Sequence, residues 1–579
     1  MKKAAILLLL IFQAIPGLSQ NRSFSLKATV VHKKINAPLP YANVFNQRLK
    51  TGTATNLEGY FELPNNRTGD TITISYLGYL VKTIIATPDF PRQIQLQPNP
   101  SLLAEVVVRS DDSYLYELVR QARKNSRTAT KISKTYFYLE TKLFGKPVEI
   151  IEAYYNGQYA NYGTTGLQLK KGRIGLRPIN KRYFSSTESS RLFSMYDVFA
   201  RSHLFPDNPL SIKRGALKKR FSLSLRNTYQ EGQSKIYVVN FHPKGKGSDL
   251  FHGTLWINQS NDRLLKFSLN IHNSGTHPFT PIGYNRILGV DMEITTSFTP
   301  IDNALFLNSA DFNYNVSYLD SLGHKLEAST KAFSKAYDYG EKFNLPYFEF
   351  TRQFHQDYRN IVLTPYDAVF WEGTTEFRFY DRLDKVERFI KDNHIENNII
   401  YADREDSGQQ LQWNYIHWDK NRFKMSQAPV AKIETPTYLR RYNIEKYHLN
   451  VKLYLDVNFI RDSLTYQLIS ILDPAETFYY FYLKNTDHAF MNMYFDLMEV
   501  QKRKLEAELK LMNHPTVEQL DALHQTYSDN FKREAEKFAA ETRRGERLRK
   551  MAAWSDYIYD QLAIDNLKLF GLEEVDFRE

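Results

Sequence analysis

The residues with most chemistry to offer crowd into one stretch of the chain. Between Gly166 and Arg226 stand Lys170, Lys171, Arg173, Arg177, Lys181, Arg182, Arg191, Arg201, Lys213, Arg214, Lys218, Lys219, Arg220 and Arg226. Only Glu188, Asp197 and Asp207 oppose them, so this window holds +11 of a chain total of +12. Tyr183, Phe184, Phe193 and Phe205 interleave. Cations set among aromatic rings suit a polyanionic partner. The anion-binding candidates are Lys170, Lys171, Arg173, Arg177, Lys181, Arg182, Lys213, Arg214, Lys218, Lys219 and Arg220. The plain alternative is a solvated set of loops.

Other reactive patterns are thin. His324-Lys325-Leu326-Glu327, with His448 further on, has the ligand spacing of a zinc peptidase. A chain with 14 histidines yields about one such match by chance, and the segment reads as a strand. His272 and His277 flank a glycine-containing loop, and Glu573-Glu574 lie near the C-terminus, where solvation is the ordinary state. There is no His-Glu-x-x-His, no Gly-x-Ser-x-Gly, no Walker loop and no cysteine. No catalytic residue, metal ligand or cofactor is assigned. Carboxylates paired across the fold, as glycoside hydrolysis uses, stay open because their partners need not be near in sequence.

What positions these residues begins with an export signal. Met1-Lys2-Lys3 is a positive start, Ala4 to Phe12 an apolar core too short to span a bilayer, and Pro16-Gly17 a break. Small residues at Gly17 and Ser19 predict cleavage near Ser19, making 1–19 a signal peptide. Without cysteine the chain has no lipobox thiol and no disulfides, so its cores must be large. No other apolar run is long enough for a transmembrane helix. Export leaves lipopolysaccharide phosphates, peptidoglycan carboxylates, acidic glycans or outer-membrane proteins as partners, and not nucleic acid.

Residues 22–108 read as about seven short strands broken by turns, the pattern of a β-sandwich. Tyr60, Phe61 and Tyr76 are core candidates, and Gly59 and Gly78 sit at turns. Four blocks carry a resemblance: Pro38-Leu39-Pro40-Tyr41-Ala42-Asn43-Val44, Gly52 through Phe61, Ile74-Ser75-Tyr76-Leu77-Gly78-Tyr79, and Leu102 through Val108. Together they resemble the carboxypeptidase-regulatory-like domain. That resemblance implies a transthyretin-like fold, common in exported proteins of Bacteroidetes, with no catalytic residues of its own. Ala28 stands where a glycine commonly opens the first strand.

Residues 110–345 read as a β-rich body led by a helix over Asp112 to Asn125, with Leu115, Leu118, Val119 and Ala122 on one face. Asn156-Gly157 predicts a hairpin turn. Strands at Ile236–Phe241, Gly253–Asn258 and Leu264–Ile271 predict a meander, and Phe251 to Ile271 is similar to strands of periplasmic lipoprotein-carrier half-barrels. Residues 346–485 read as a mixed β subdomain with a short helix over Asp381 to Asn393. Residues 486–579 read as two or three antiparallel helices, the second opened by a Thr516-x-x-Gln519 capping box. The order of these parts is similar to exported Bacteroidetes proteins with an uncharacterised body. The fold class is multidomain and mainly β, α+β overall. The function this implies is a non-enzymatic cell-envelope binding or scaffold protein, with an envelope hydrolase or a lipid or lipoprotein carrier as alternatives.

Overall fold

The computed structural model describes residues 23–572 except 100–112, 126–129, 184–195, 349–360, 375–394, 402–414, 423–430, 434–446 and several shorter breaks. The leader over 1–19, the block Leu102–Val108, the helix over Asp381 to Asn393, and Lys181 lie outside the described residues.

Seven strands make the N-terminal unit: β1 (Phe24–His32), β2 (Asn43–Asn46), β3 (Thr51–Ala54), β4 (Tyr60–Asn66), β5 (Thr71–Ser75), β6 (Lys82–Ile85) and β7 (Gln93–Leu96). They form two sheets, ordered β4-β1-β7 and β3-β2-β5-β6. The alternation in the sequence is the cause: Ile72 and Ile74 point inward while Thr71 and Thr73 do not. Leu26, Ala28, Val30, Phe61 and Ile94 complete the core. Tyr60 and Tyr76 are only partly buried, because the two-residue period turns Tyr60 away from the core that Phe61 enters. Gly59 has φ +74°, and a Cβ there would lie 2.3 Å from the Val30 carbonyl oxygen. Gly59→Ala is expected to cost about 1–3 kcal/mol through strain and displacement of β1. Urea unfolding against wild type measures it.

Ten long strands form one antiparallel sheet: β8 (Lys131–Leu143), β9 (Lys146–Ala160), β10 (Gly163–Leu176), β11 (Phe221–Glu231), β12 (Ser234–Pro243), β13 (His252–Asn258), β14 (Arg263–Ser274), β15 (Arg286–Ile301), β16 (Ala304–Leu319) and β17 (Lys325–Tyr337). The order runs β11 through β17 and then β8, β9, β10, with two short strands beyond β10. The predicted meander is therefore real. The Asn156-Gly157 turn is not. Both residues lie inside β9, paired with β8 and β10, and the hairpin turns at Phe144-Gly145, both at positive φ. Gly157 is where a Cβ would collide with the Thr135 and Tyr159 hydroxyls, which bond each other at 2.5 Å. The buried Asn156 carboxamide instead donates to and accepts from the Phe343 backbone at 2.9 and 2.7 Å. The Asn-Gly pair serves packing here, not chain reversal.

One face of this sheet is apolar, with Phe137, Tyr155, Phe241, Leu255, Phe267 and Phe312 buried. Helix α1 (Ser113–Lys124) covers part of it with Leu115, Leu118, Val119 and Ala122, the four residues its period predicts. Tyr196, Phe199, Phe205, Leu210 and Ile212 from the connection before α2 (Arg214–Arg220) fill more. The opposite face carries the sandwich, through Tyr41 stacked on Phe333 at 4.5 Å. It also carries a buried aromatic set, Tyr136, Tyr154, Phe370 and Trp371, the last two on α3 (Ala368–Gly373).

The hairpin β18 (Val451–Ile460) and β19 (Ser463–Leu472) shares a core with four helices, α4 (Asn485–Leu511), α5 (Val517–Thr542), α6 (Leu548–Leu562) and α7 (Asn566–Leu569). Phe490, Met493, Leu497 and Val500 are buried in it, so the apolar stripe of α4 is core. Thr516 and Gln519 cap α5 reciprocally. Buried Asp496 is held by Arg422 at 2.7 and 2.9 Å and by Trp418 and Asn566 at 2.7 and 2.6 Å. Among the described residues no helix is long and apolar enough to cross a membrane.

Candidate functional site: the basic segment and an interdomain cleft

The structure divides the basic window in two. Lys170, Lys171 and Arg173 lie on β10, where a register shift between Leu169 and Lys171 marks a bulge. All three are buried. The Lys170 ammonium lies 2.5 Å from one Asp456 carboxylate oxygen and donates to the Val457 carbonyl at 3.0 Å. Lys171 takes the other Asp456 oxygen at 2.8 Å and donates to Gln467 at 2.9 Å. Asp367 lies 3.7 Å from Lys171, caps α3 and accepts from Asn458 at 3.2 Å. Arg173 pairs with Glu152 at 2.5 Å and sits over the Trp371 ring, while Tyr136 donates to the same carboxylate at 2.9 Å.

These three cations are consequently removed from the anion-binding surface that the sequence suggests. Their counter-charges are inside the protein, and a polymer cannot reach them. Burial pulls the Lys170 ammonium below the ordinary lysine value, against the attraction of Asp456.

The remaining candidates lie elsewhere. Arg177 is partly buried, and Arg182 belongs to a two-residue strand paired with Ile179. Lys213, Lys218 and Lys219 are exposed on or beside α2, which Arg214 opens. Lys218 reaches over the Tyr116 ring of α1 at 5.4 Å. Arg220 is committed to Asp207 at 2.5 Å, as is Arg201 at 2.9 Å. Among the candidates whose side chains are described, Lys213, Lys218 and Lys219 form the open cationic surface.

The histidines of the zinc-peptidase spacing have other partners. His324 is exposed, 3.0 Å from Asp320, Glu327 pairs with Lys325, and His448 stacks on Phe478. Among the described residues no three His, Asp or Glu side chains lie close enough to hold a metal ion.

Two cavities at the edge of the apolar core, beside Tyr162 and Phe298 or Phe267, measure only about 20 and 30 Å³. A cleft of about 450 Å³ lies elsewhere, between the sandwich and the polar face of the long sheet. That is the size of a small-molecule site, roughly 300–1,000 Å³. Tyr41, Asn43, Thr73 and Tyr76 line it from the sandwich, and Lys266, Thr295, Ser297, Asn308 and Asp311 from β14, β15 and β16.

Beneath the cleft the buried Lys335 of β17 joins the two units. Its ammonium donates to the Asn43 carboxamide oxygen at 3.2 Å and to that of Asn308. Asn308 then donates to Ser297 at 3.1 Å, and Ser297 shares a 2.8 Å hydrogen bond with Ser309. Burial alone pulls Lys335 down to about 7. Burial also lowers Lys266, against the pull of Asp311. Burial first, then the charges of Tyr79 and Asp311, push the Tyr76 phenol up to about 12, so it stays a donor.

Sequence reasoning passed over this cleft. Its signal was the run of small polar residues at alternate positions, Thr295 and Ser297 on β15 and Ser309 and Asp311 on β16. An open solvent face would carry longer charged side chains there.

Residues 26–108 match the family model of the CarboxypepD_reg-like domain, so the four blocks of the sandwich identify it correctly. No match was found among curated proteins. Among solved structures, the chain is similar to the MucA/MucB complex of Pseudomonas aeruginosa at 8% identity and a TM-score of 0.16, over 38% of this chain and 92% of that one. It is also similar to a LolA superfamily protein of Nitrosomonas europaea at 14% identity and a TM-score of 0.16, over 42% of this chain and 97% of that one. Likeness this distant assigns no activity.

Proposed function

We propose that the chain is an exported, non-enzymatic cell-envelope binding or scaffold protein whose ligand site is the cleft between sandwich and sheet. The observation that carries this reading is the cleft itself: two separately folded units build it, and a buried lysine fastens them beneath it. The carboxypeptidase-regulatory-like domain then acts as one wall of a binding site and not as a free accessory. Lys213, Lys218 and Lys219 supply a second, salt-sensitive contact to anionic envelope polymers. The hydrolase reading asks for convergent carboxylates or histidines, and Asp311 is the one acid among the described lining residues. The carrier reading asks for an apolar chamber, and the two cavities described beside the apolar core, about 20 and 30 Å³, lend it no support.

Co-sedimentation of the purified chain with purified envelope polymers, at low and high salt, tests this. Reversing Lys213, Lys218 and Lys219 to Glu is expected to abolish the salt-sensitive share of binding. Because the three are exposed, stability should stay within about 0.5 kcal/mol of wild type. Thr295→Trp, which fills the cleft, is expected to remove the salt-insensitive share. Unchanged sedimentation of the triple variant overturns the surface contact, and unchanged sedimentation of Thr295→Trp overturns the cleft.

A further inference from the structure

We infer that the cleft takes a small acidic molecule, one that carries a carboxylate or a phosphate on a polar body. This rests on the cleft being the ligand site and goes on to name the ligand class. The local cause is a bulge. Trp256 pairs with Lys266 but Ile257 pairs with Leu264, so Leu265 stands unpaired on β14. Residues three apart on a regular strand face opposite sides, yet Arg263 and Lys266 both line the cleft. The bulge thus sets two cations on one wall, against Asp311 as the one acid among the described lining residues. Lys266 is the anchor. Among the described residues its ammonium makes no hydrogen bond and no ion pair. It lies over the Trp256 ring at 5.1 Å, and Asp311 acts on it only electrostatically. A partly buried ammonium with three donors and no acceptor is costly to keep, and an oxyanion in the cleft answers it.

The neutral groups are set as donors too. Lys335 takes the carboxamide oxygens of Asn43 and Asn308, which leaves their amide nitrogens for other partners. That of Asn308 donates to Ser297 at 3.1 Å, and that of Asn43 has no hydrogen-bond partner among the described residues. Tyr76 keeps its phenolic proton and donates as well. Donors in excess of acceptors suit the oxygens of an anion. The volume of about 450 Å³ admits a small molecule and not a polymer chain. Thr73, Ser75 and Thr295 add hydroxyls to the lining, and Val81 and Phe298 add apolar surface, which suits a hydroxylated body with C–H faces. Ion pairs formed inside a cleft are screened far less than pairs on open surface. This binding therefore persists at salt concentrations that remove the Lys213, Lys218 and Lys219 contact.

Isothermal titration of the purified full chain tests this with three probes: a hexuronate, a hexose phosphate and the neutral hexose. At least one of the two acidic probes is expected to bind, and the neutral hexose to bind tenfold more weakly or not at all. The two acidic arms tell a carboxylate from a phosphate, and binding of either supports the inference. Lys266→Met is expected to weaken the acidic probe tenfold or more with the unfolding midpoint retained, and Thr295→Trp to abolish its binding. A neutral hexose that binds as tightly as the acidic probes overturns the inference, and so does an affinity that Lys266→Met leaves unchanged. Binding by none of the three, with Thr295→Trp still blocking capture of envelope polymers, overturns the acidic class and leaves the cleft standing. Binding of an acidic probe that survives Thr295→Trp overturns the cleft as the site, and this inference with it.

Discussion

Asp456→Ala is expected to cost about 3–5 kcal/mol, measured by urea or thermal unfolding of the full chain. Asp456 is fully buried on β18 and answers two ammonium groups at once, Lys170 and Lys171 of β10. Removing it leaves two desolvated cations with only Asp367 at 3.7 Å from one of them. A buried ion pair need not stabilise relative to apolar packing, but one half of a pair is always expensive to keep. Lys170→Met/Lys171→Met/Asp456→Leu, which removes all three charges, is therefore expected to recover most of the loss. If the triple variant falls as far as Asp456→Ala, the cost lies in the lost geometry of the hairpin and not in stranded charge. The pH dependence separates the two causes further. In Asp456→Ala, Lys170 is held below its ordinary value with less to oppose burial. The deficit should shrink as pH rises toward 10.5, where the unfolded chain also sheds that proton.

That cluster also shows why the basic window misled. Lys170 and Asp456 are 286 residues apart in sequence. A count of charge along the chain sees the lysines as surplus and cannot see that the chain returns a carboxylate to them. What the sequence does expose is local: the two-residue period of β5, the four apolar residues of α1, the capping box at Thr516, and the blocks of the regulatory-like domain. Each depends on neighbours within a turn or a strand pair. Asn156-Gly157 marks the limit of such reading. Its local preference for a turn yields to Tyr159, Thr135 and Phe343, which need a missing Cβ and a carboxamide at those places. The cleft was illegible for a third reason. Its walls come from β2, β5 and β14 to β16, and only the docking of the two units makes a site of their polar faces.

Lys335 bears on that docking and gives the second large effect, a rise of stability with pH where most proteins are flat or declining. In the folded chain burial holds it near 7, while the unfolded chain titrates near the ordinary 10.5. Below about pH 7 both states carry the proton and the native state bears the full cost of an ammonium in the interior. Between about 7 and 10.5 the unfolded state binds a proton that the native state does not, so stability rises with pH, by about 1.4 kcal/mol per unit at most. Above 10.5 the contribution is constant. Lys335→Met removes this titration but leaves the Asn43 and Asn308 oxygens without their donor, at about 1–3 kcal/mol. The stability of Lys335→Met relative to wild type is therefore expected to be highest near neutral pH and to fall steadily toward pH 10, crossing to a net loss. Urea unfolding of both proteins at matched pH values reads this directly, and subtraction cancels Lys266 and the other titrating groups common to both. A difference that does not change across that range would mean that Lys335 keeps its charge in the folded protein. The bridge from Asn43 to Asn308 would then be an ionic one that alkaline pH does not relieve.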